Sequence, residues 1–467
     1  MTLEPGGEPG LGVPMARATD TIAAHATPTG ASALALVRVS GPESTRLARD
    51  ILGALPPARH AIHADYVDVD SRLVDDVVAT RFEAPHSYTG EDSLELCCHG
   101  SPLVVRKLLG DLMARGCRPA APGEFTQRAF LNGRMDLSQA EAVMDVISAR
   151  SERALSAAQQ VLRGALGRIL GVLIDEILAA LAQVEAYIDF PDEDLPPEDA
   201  SRLEAALRRA IEGASQLLAT ERTGLLLRDG ITTVILGEPN AGKSSLMNRL
   251  VGSERSIVSP EAGTTRDFIE ERASAGPHGL RLIDTAGLNP AAAGVERLGV
   301  ERTSEQAAEA DLFILVLDAA RPTPALPPEI LSRIKDSNTI VALNKSDLLG
   351  PREAAKAALP AGLAAVRVSA LSGAGFPELV AGLERLAAGL ETTAGEERIA
   401  VNVRHAHFLA EAKACLAAAL AKIPMKGAPE LLASDLRGAL SALGEISGKV
   451  DNERMLDQLF ASFCIGK

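Results

Sequence analysis

The residues whose types and spacing most clearly predict chemistry form one glycine-rich segment, Gly237-Glu-Pro-Asn-Ala-Gly-Lys-Ser244, here called the phosphate loop. Its glycines let backbone N–H groups turn inward onto phosphate oxygens, and the following helix N-terminus favours negative charge. Lys243 is placed to neutralise the outer phosphates, and the Ser244 hydroxyl suits Mg²⁺. The segment follows an apolar strand, so it predicts a nucleoside triphosphate site. The expected contacts are Asn240, Ala241, Gly242, Lys243, Ser244 and Ser245.

A second segment, Asp284-Thr285-Ala286-Gly287, ends a later apolar run. A carboxylate at Asp284 can hold Mg²⁺ through water, and the Gly287 amide can contact the terminal phosphate. Both features are typical of proteins that bind and hydrolyse nucleotides.

Two segments predict which base the bound nucleotide carries. They are Asn344-Lys345-Ser-Asp347, here called the guanine segment, and Ser369-Ala370-Leu371. The Asp347 carboxylate can accept hydrogen bonds from the ring N–H and exocyclic amine of guanine, a donor pair that adenine lacks. Leaving a buried carboxylate unpaired is costly, so we expect ATP to be rejected. A backbone N–H of the Ser369-Ala370-Leu371 segment suits the guanine carbonyl. Four elements in this order predict a GTPase.

Hydrolysis needs a group that orients water, and many small GTPases carry Gln directly after the segment that ends at Gly287. This chain has Leu288 there, which is apolar. Glu296 is one candidate for the missing role. The alternative is that Glu296 is a solvated carboxylate at the start of a helix.

The loop from Ile257 to Asp267 is rich in hydroxyl and carbonyl groups. Thr265 is predicted as a second Mg²⁺ ligand. Together with Asn240, this loop has the composition to surround a monovalent cation, which would supply positive charge beside the phosphates.

The pattern of apolar residues indicates the elements that must position these groups. Residues 21–134 combine short strands with one helix and predict an α+β domain, whereas long helical periods follow from Ser138. Alternating strands and helices then contain the motifs, and helices resume after Gly389. The expected strands are Ala33–Val39, Val77–Phe82, Ser93–Cys98, Thr232–Leu236, Leu280–Asp284, Leu312–Asp318, Thr339–Asn344 and Ala364–Ser369, and the expected helices are Leu103–Arg115, Ala140–Ser156, Ala157–Tyr187 and Ser201–Thr223.

We therefore expect a multidomain fold with an N-terminal α+β domain, a discontinuous helical domain and an inserted P-loop, Ras-like α/β domain. The expected boundaries are a disordered lead-in at 1–19, an N-terminal domain at 20–135, helical parts at 136–228 and 389–467, and the nucleotide domain at 229–388.

Composition limits the environment and the partners. The chain has 467 residues, five cysteines and a net charge of −15. An odd number of cysteines without metal-ligand spacing favours reduced thiols in the cytoplasm. The acidic charge argues against a broad nucleic-acid-coating surface. No apolar run reaches the length of a membrane span, so no membrane association is expected.

Outside the nucleotide motifs, the sequence resembles the MnmE (TrmE) family of tRNA-modification GTPases from Asp20 onward. The matching segments are Asp20-Thr-Ile-Ala-Ala-His-Ala-Thr-Pro28, Ser87-Tyr-Thr-Gly-Glu-Asp92, His99-Gly100, Pro122-Gly-Glu-Phe-Thr-Gln-Arg-Ala-Phe-Leu-Asn132, Asp136-Leu-Ser-Gln-Ala-Glu-Ala142, Ile188-Asp-Phe-Pro191 and Phe463-Cys-Ile-Gly-Lys467.

The resemblance implies a homodimer whose N-terminal domain binds a tetrahydrofolate derivative in the 5,10-methylene or 5-formyl form. The implied folate contacts are Arg38, Glu95, Arg134 and Lys467, and Arg134 stands where family members commonly have Lys. The resemblance also implies that GTPase domains pair with K⁺ bound and that Glu296 is the catalytic residue. This favours a role for Glu296 in hydrolysis over its interpretation as a solvated carboxylate. The implied K⁺ contacts are Asn240, Ser259, Glu261 and Thr264.

The family further works with the FAD-containing partner MnmG, in a heterotetramer or larger complex, on the wobble uridine of tRNA. The implied product carries a carboxymethylaminomethyl or aminomethyl group at C5. Cys464 is either a reactive thiol in this chemistry or a packed residue beside Phe460 and Phe463.

Two other interpretations remain open. A regulatory GTPase switch, for example in ribosome assembly, would use the N-terminal region for docking without folate chemistry, and an ATP-dependent P-loop enzyme would tolerate loss of Asp347. The run Cys97-Cys98-His99 is predicted to reflect strand packing, because adjacent cysteines on a strand point to opposite faces.

Overall fold

The computed structural model describes most of the chain. The described residues are 20–189, 197–252, 270–284, 310–323, 328–349, 362–391, 399–423, 429–448, 459–461 and 463–466, with 308, 326, 357 and 456. They belong to two compact units, one of residues 1–140 and 450–467 and the other of residues 141–449.

The first unit is built on a six-stranded sheet with the strand order β3-β4-β5-β2-β1-β6. Its neighbouring strands are antiparallel except for the short parallel pair of β1 and β6. Its elements are β1 (Ile22–His25), β2 (Leu34–Ser40), α1 (Ser44–Leu52), β3 (Ala61–Val67), β4 (Leu73–Phe82), β5 (Ser93–His99), α2 (Pro102–Ala114), β6 (Arg118–Pro119) and α3 (Glu124–Leu131).

Helices α1 and α2 cover one face of this sheet. Leu47 of α1 and Leu108 of α2 are fully buried against Val37 and Leu96 of the central strands. This alternation of buried and exposed residues along the strands is typical of a sheet with one face on the core. The last described residues of the chain join the same unit, where Ile465 forms a β-bridge with Pro122.

The second unit contains a helical bundle made from two separated stretches of chain. One buried core includes Leu170, Leu207, Leu409 and Leu436 from four different helices. The helices are α5 (Glu152–Leu162), α6 (Ala165–Asp189), α7 (Pro197–Leu218), α8 (Glu221–Asp229), α12 (Val403–Lys422) and α13 (Pro429–Ser447), and α4 (Leu137–Ser148) precedes them.

The structure corrects three predicted helices. The stretch Ala140–Ser156 is not one helix, because the Ser151 hydroxyl accepts the Ala154 N–H and caps a new helix at 3.2 Å. The stretch Ala157–Tyr187 is divided near Gly164, whose φ is +77°. The stretch Ser201–Thr223 is divided at Thr220, where α8 begins.

A buried carboxylate ties α4 to the start of α12. Glu141 Oε1 accepts a hydrogen bond from Arg404 Nε at 2.7 Å. Its Oε2 accepts one from Asn402 Nδ2 at 3.1 Å and lies 2.7 Å from His405 Nε2. Burial by itself would raise the pKa of Glu141, but His405 and Arg404 outweigh it and lower the pKa to about 2. The carboxylate therefore stays charged inside the unit.

The two stretches of the bundle meet beside the nucleotide part of the chain. The Thr220 hydroxyl accepts the N–H of Val401 at 3.3 Å. Gly224 lies so close that an added Cβ would be 2.2 Å from the Val401 carbonyl oxygen, so only glycine fits there.

The chain between Gly230 and Ile399 forms a second six-stranded sheet with the order β12-β11-β10-β7-β9-β8. All of its neighbouring pairs are parallel except β8 and β9. Its elements are β7 (Ile231–Gly237), α9 (Lys243–Gly252), β8 (Glu270–Ala275), β9 (His278–Asp284), β10 (Leu312–Asp318), α10 (Pro328–Leu331), β11 (Thr339–Asn344), β12 (Ala364–Arg367) and α11 (Phe376–Glu391).

These elements agree with the predicted fold class, a mixed α/β chain with a helical part and an inserted P-loop domain. Helices α9 and α11 pack on one face of the inserted sheet through Leu246 and Leu383. Among the helices that the structure describes, none combines the length and hydropathy that crossing a bilayer demands.

Candidate functional site

The phosphate loop joins the end of β7 to the start of α9. Asn240 and Gly242 have positive φ angles of 63° and 97°, which turn successive N–H groups toward one side of the loop. A Cβ at Gly242 would lie 2.2 Å from Asn344 Nδ2, so glycine is required sterically as well as conformationally. The helix begins at Lys243, within the phosphate loop.

Lys243 lies inside the curve of this loop. Its ammonium group donates hydrogen bonds to the carbonyl oxygens of Gly237 and Glu238, both at 3.1 Å. Burial lowers the pKa of Lys243, and the nearby charge of Asp284 opposes that effect. The side chain is therefore held where phosphate oxygens would neutralise it.

The predicted magnesium-side residues lie together. Ser244 Oγ donates a hydrogen bond to Asp284 Oδ2 at 2.6 Å. The second carboxylate oxygen, Asp284 Oδ1, is buried without a hydrogen-bond partner among the described residues. A hydroxyl beside a buried, unpaired carboxylate oxygen fits a Mg²⁺ ion, which prefers oxygen ligands and bound water.

Asn344 links the phosphate loop to both predicted base segments. Its Nδ2 donates to the Ala241 carbonyl at 2.8 Å, and its Oδ1 accepts the Ala370 N–H at 2.9 Å. The side chain is 2% exposed. A buried amide with both ends satisfied fixes the spacing of the three segments.

Lys345 and Asp347 follow at the carboxyl end of β11. Lys345 has a φ of 63°, and its ammonium group donates to Asp318 Oδ2 at 2.8 Å. The Asp347 side chain is exposed, on the short helical turn Ser346–Leu348. Ser369 is buried, and its hydroxyl accepts the Ser372 N–H at 3.1 Å.

Sequence reasoning missed Arg249, although it organises the same region. From α9, Arg249 donates to the carbonyl oxygens of Ala370 at 2.9 Å and Leu371 at 2.7 Å. A Cβ at Gly373 would lie 2.5 Å from Arg249 Nη1. The guanidinium group therefore holds the loop of the last base segment, and no local motif marks it.

Several predicted site residues lie outside the described part of the chain. They are Ser259, Glu261, Thr264, Thr265, Thr285, Ala286, Gly287, Glu296 and Lys467.

A second candidate site is a cavity of about 350 Å³ in the first unit. The predicted residues Arg38 and Glu95 form a cross-strand pair there, and both Arg38 Nε and Nη2 donate to Glu95 Oε1, at 3.0 and 2.8 Å. Arg134 is exposed at the same cavity and packs beside Gly90. The other lining residues are Arg59, Phe82, His86, Ser87, Tyr88, Thr89 and Ser93.

Two aromatic rings hold Arg38, and neither was predicted. Its guanidinium carbon lies 5.4 Å from the centre of the Tyr88 ring and 5.7 Å from that of Phe125. Arg38 Nη1 also donates to the Gly466 carbonyl at 3.4 Å. The residue before Lys467 thus lies at this cavity.

Cys464 is exposed, which contradicts the alternative that it is a packed side chain. Its carbonyl accepts the Gly123 N–H at 3.3 Å, and the neighbouring rings of Phe460 and Phe463 pack 5.2 Å apart. The backbone of this segment is fixed while its thiol faces solvent.

Comparison with known proteins gives matches along nearly the whole chain. The family model described as "GTP-binding protein TrmE N-terminus" matches residues 21–134, and the model described as "MnmE helical domain" matches residues 137–464. Among solved structures, the G domain of the T. maritima FeoB iron transporter is 24% identical, with a TM-score of 0.25, covering 34% of this chain and 98% of that one.

Two curated relatives are similar over almost their full length. The tRNA modification GTPase MnmE of Opitutus terrae is 55% identical and covers 96% of this chain and 99% of its own. The protein of the same name from Akkermansia muciniphila is 44% identical with the same coverage. The chain therefore belongs to the MnmE (TrmE) family of tRNA modification GTPases.

Proposed function

We propose that the chain hydrolyses GTP within a tRNA-modifying complex. The observation that carries the GTP assignment is the buried amide of Asn344, which bonds the phosphate loop through Ala241 and the last base segment through Ala370. Asp347 lies on the short helical turn that follows the same strand, β11. A carboxylate there selects guanine over adenine because only guanine offers two adjacent donors.

In this proposal Mg²⁺ is held by Ser244 and Thr265, with Asp284 acting through water. The contact between Ser244 and Asp284 supports their proposed roles at the Mg²⁺ ion, since the hydroxyl and an unpaired carboxylate oxygen already lie together. When bound, the ion neutralises charge on the phosphates. Lys243 supplies a further positive charge from the loop.

We propose that Glu296 orients the attacking water and that K⁺ lies beside the phosphates in a pair of nucleotide domains. The proposed K⁺ contacts are Asn240, Ser259, Glu261 and Thr264. Asn240 is exposed on the phosphate loop, where its side chain is accessible to an ion. Leu288 cannot orient water because it has no polar group, and the carboxylate of Glu296 can supply that function.

The N-terminal domain, residues 20–135, is proposed to bind a tetrahydrofolate derivative and to form a homodimer. The supporting observation is the 350 Å³ cavity beside Arg38, Glu95 and Arg134, which is large enough for a flat heterocycle. A carboxylate such as Glu95 suits the N–H groups of a pterin ring. Lys467 follows Gly466, whose carbonyl contacts Arg38.

The proposed reaction adds a carboxymethylaminomethyl or aminomethyl group to C5 of the tRNA wobble uridine, with the flavoprotein MnmG as partner in the cytoplasm. Both curated relatives are named tRNA modification GTPases, which supports tRNA as the substrate. The exposed thiol of Cys464 is proposed to act in this chemistry. GTP hydrolysis in the nucleotide domain (229–388) would rearrange the modification site through the helical parts (136–228 and 389–467).

The test of hydrolysis is steady-state GTP turnover by the full chain in KCl and in NaCl. We expect faster turnover in KCl and a loss of about 100-fold or more in Glu296→Ala, since one positioned general base contributes about that much. The control is Glu301→Ala, a nearby carboxylate without a proposed role. Equal rates in both salts contradict the K⁺ proposal, and full activity in Glu296→Ala contradicts the role of Glu296.

The folate proposal is tested by calorimetry with 5-formyltetrahydrofolate and the full chain. We expect Arg38→Ala to weaken binding by about tenfold or more, because it removes the Glu95 ion pair and opens the aromatic contacts. GTP binding should not change in the variant. Absence of folate binding in the wild type would favour the regulatory-switch interpretation instead.

A further inference from the structure

Two aspartates and two histidines lie together on β3, β4 and β5 of the first unit, and none of the four lines either candidate site. His99 Nδ1 lies 2.8 Å from Asp75 Oδ1 and 3.6 Å from Asp76 Oδ1. His63 Nε2 lies 2.9 Å from Asp76 Oδ2. The Asp76 carboxylate therefore stands between two imidazole rings from different strands.

The cluster is held by the backbone on its least exposed side. Asp75 is only 10% exposed, and its Oδ2 accepts the backbone N–H of His99 at 2.8 Å. Its Oδ1 is left to contact the His99 ring. A carboxylate fixed in this way presents its remaining oxygen beside the His99 nitrogen.

The ligand atoms of Asp75, Asp76 and His99 all lie within 4.8 Å of one another. His63 Nε2 contacts Asp76 Oδ2, the oxygen that faces away from His99, and so holds the Asp76 carboxylate in place. An imidazole nitrogen beside carboxylate oxygens fits Zn²⁺ and other first-row divalent ions better than Mg²⁺ or Ca²⁺, which take oxygen ligands.

We propose that Asp75, Asp76 and His99 bind one divalent transition-metal ion, with Zn²⁺ as the best-fitting ion. This site lies outside the proposed GTP and folate chemistry and does not depend on either.

The distances are compatible with such an ion after small side-chain movements. In a tetrahedral site with metal–ligand bonds of about 2.0–2.2 Å, neighbouring ligand atoms lie roughly 3.3 Å apart. The present separations run from 2.8 to 3.6 Å around the His99 nitrogen. The metal would take the place of the proton now between the His99 nitrogen and the Asp75 carboxylate. A bound ion would also join two adjacent strands, because Asp75 and Asp76 lie on β4 and His99 lies on β5.

The experiment is calorimetric titration of the full chain with ZnCl₂, comparing wild type with His99→Ala and Asp76→Ala. We expect one equivalent of Zn²⁺ to bind in the wild type and affinity to fall at least about tenfold in each variant. The matched control is His60→Ala, an exposed histidine whose ring contacts only the Ala58 carbonyl among the described residues. Circular dichroism and thermal unfolding without added metal that match the wild type show that the variants are folded.

Cysteines also bind zinc, and Cys97 is two residues before His99. Co²⁺ substitution separates the two cases, because thiolate ligands give intense near-ultraviolet absorption that nitrogen and oxygen ligands lack. We expect visible Co²⁺ bands without thiolate absorption, and the same spectrum in Cys97→Ser. Thiolate absorption, or Zn²⁺ affinity that is unchanged in His99→Ala and Asp76→Ala, would overturn the proposal.

Discussion

Asn344 Nδ2 donates a hydrogen bond to the Ala241 carbonyl at 2.8 Å, so the guanine segment and the phosphate loop are joined by one buried amide. The same side chain accepts the Ala370 N–H. Neither contact involves a ligand. The shape of the site is therefore set partly by the protein itself, as expected for a preorganised site.

Replacing Asn344 by Ala should weaken GTP binding by about five- to 100-fold. The variant leaves the Ala241 carbonyl and the Ala370 N–H without their partner, which costs roughly 1–3 kcal/mol. Fluorescent nucleotide titration gives the affinity, and Asn338→Ala, outside the site at the start of β11, is the control. GTP affinity equal to the wild type would refute the structural role of Asn344.

Asp347→Asn should reverse the preference for the base. An amide presents a donor where the carboxylate accepted a hydrogen bond, so we expect GTP affinity to fall by about 100-fold or more. Xanthosine triphosphate, which has a carbonyl where guanine has its amine, should bind the variant better than GTP does. Competition binding with GTP, ATP and xanthosine triphosphate tests this. Undiminished GTP affinity, or strong ATP binding to the wild type, would contradict the assignment of Asp347.

Ser244→Ala should weaken GTP binding mainly when Mg²⁺ is present. The hydroxyl is lost as a metal ligand, while Lys243 and the loop amides still contact the phosphates. We expect a loss of about tenfold or more with MgCl₂ and a much smaller one in EDTA. Ser148→Ala, at the end of α4 and outside the site, serves as the control. A loss of equal size in both buffers would argue for a direct phosphate contact instead.

Acid should destabilise the second unit through Glu141. Its folded pKa of about 2 lies below the ordinary carboxyl value of 4.5, so its stabilising contribution is complete above about pH 4.5 and is lost as the pH falls toward 2. The shift corresponds to roughly 3 kcal/mol. Thermal unfolding of Glu141→Gln should show a weaker pH dependence in this range than the wild type.

The exposed Glu152 at the start of α5 provides the comparison for Glu141. Glu152→Gln should keep the wild-type pH dependence. If both variants followed the wild-type curve, the acid sensitivity would have to arise from other carboxylates, such as Asp20 or Glu124, whose arginine partners also lower their pKa values.

Strands β10 and β11 coincide with the predicted segments Leu312–Asp318 and Thr339–Asn344. Both are central parallel strands buried on two faces, so they read as continuous apolar runs that end at polar residues. Strand β3 was missed because its residues are mostly half-exposed and include His63 and Asp65. The helix boundary at Ser151 was missed because the helical spacing of apolar residues continues through it.

Site residues were likewise predicted where a local motif defines them and missed where distant segments meet. Residues within a motif, such as Lys243, Ser244 and Asp284, are fixed by local sequence and were predicted. Arg249 contacts Ala370 across 121 positions of sequence, and Tyr88 packs on Arg38 through tertiary structure. No spacing rule within one segment reveals such contacts, because they depend on how distant segments pack.

The hydrogen bond between Thr220 and Val401 has a practical meaning for protein engineering. Residues on either side of the nucleotide part are already adjacent, so a few glycines and serines can bridge them after that part is excised. The resulting minimal bundle would permit the helical core to be studied without GTP turnover.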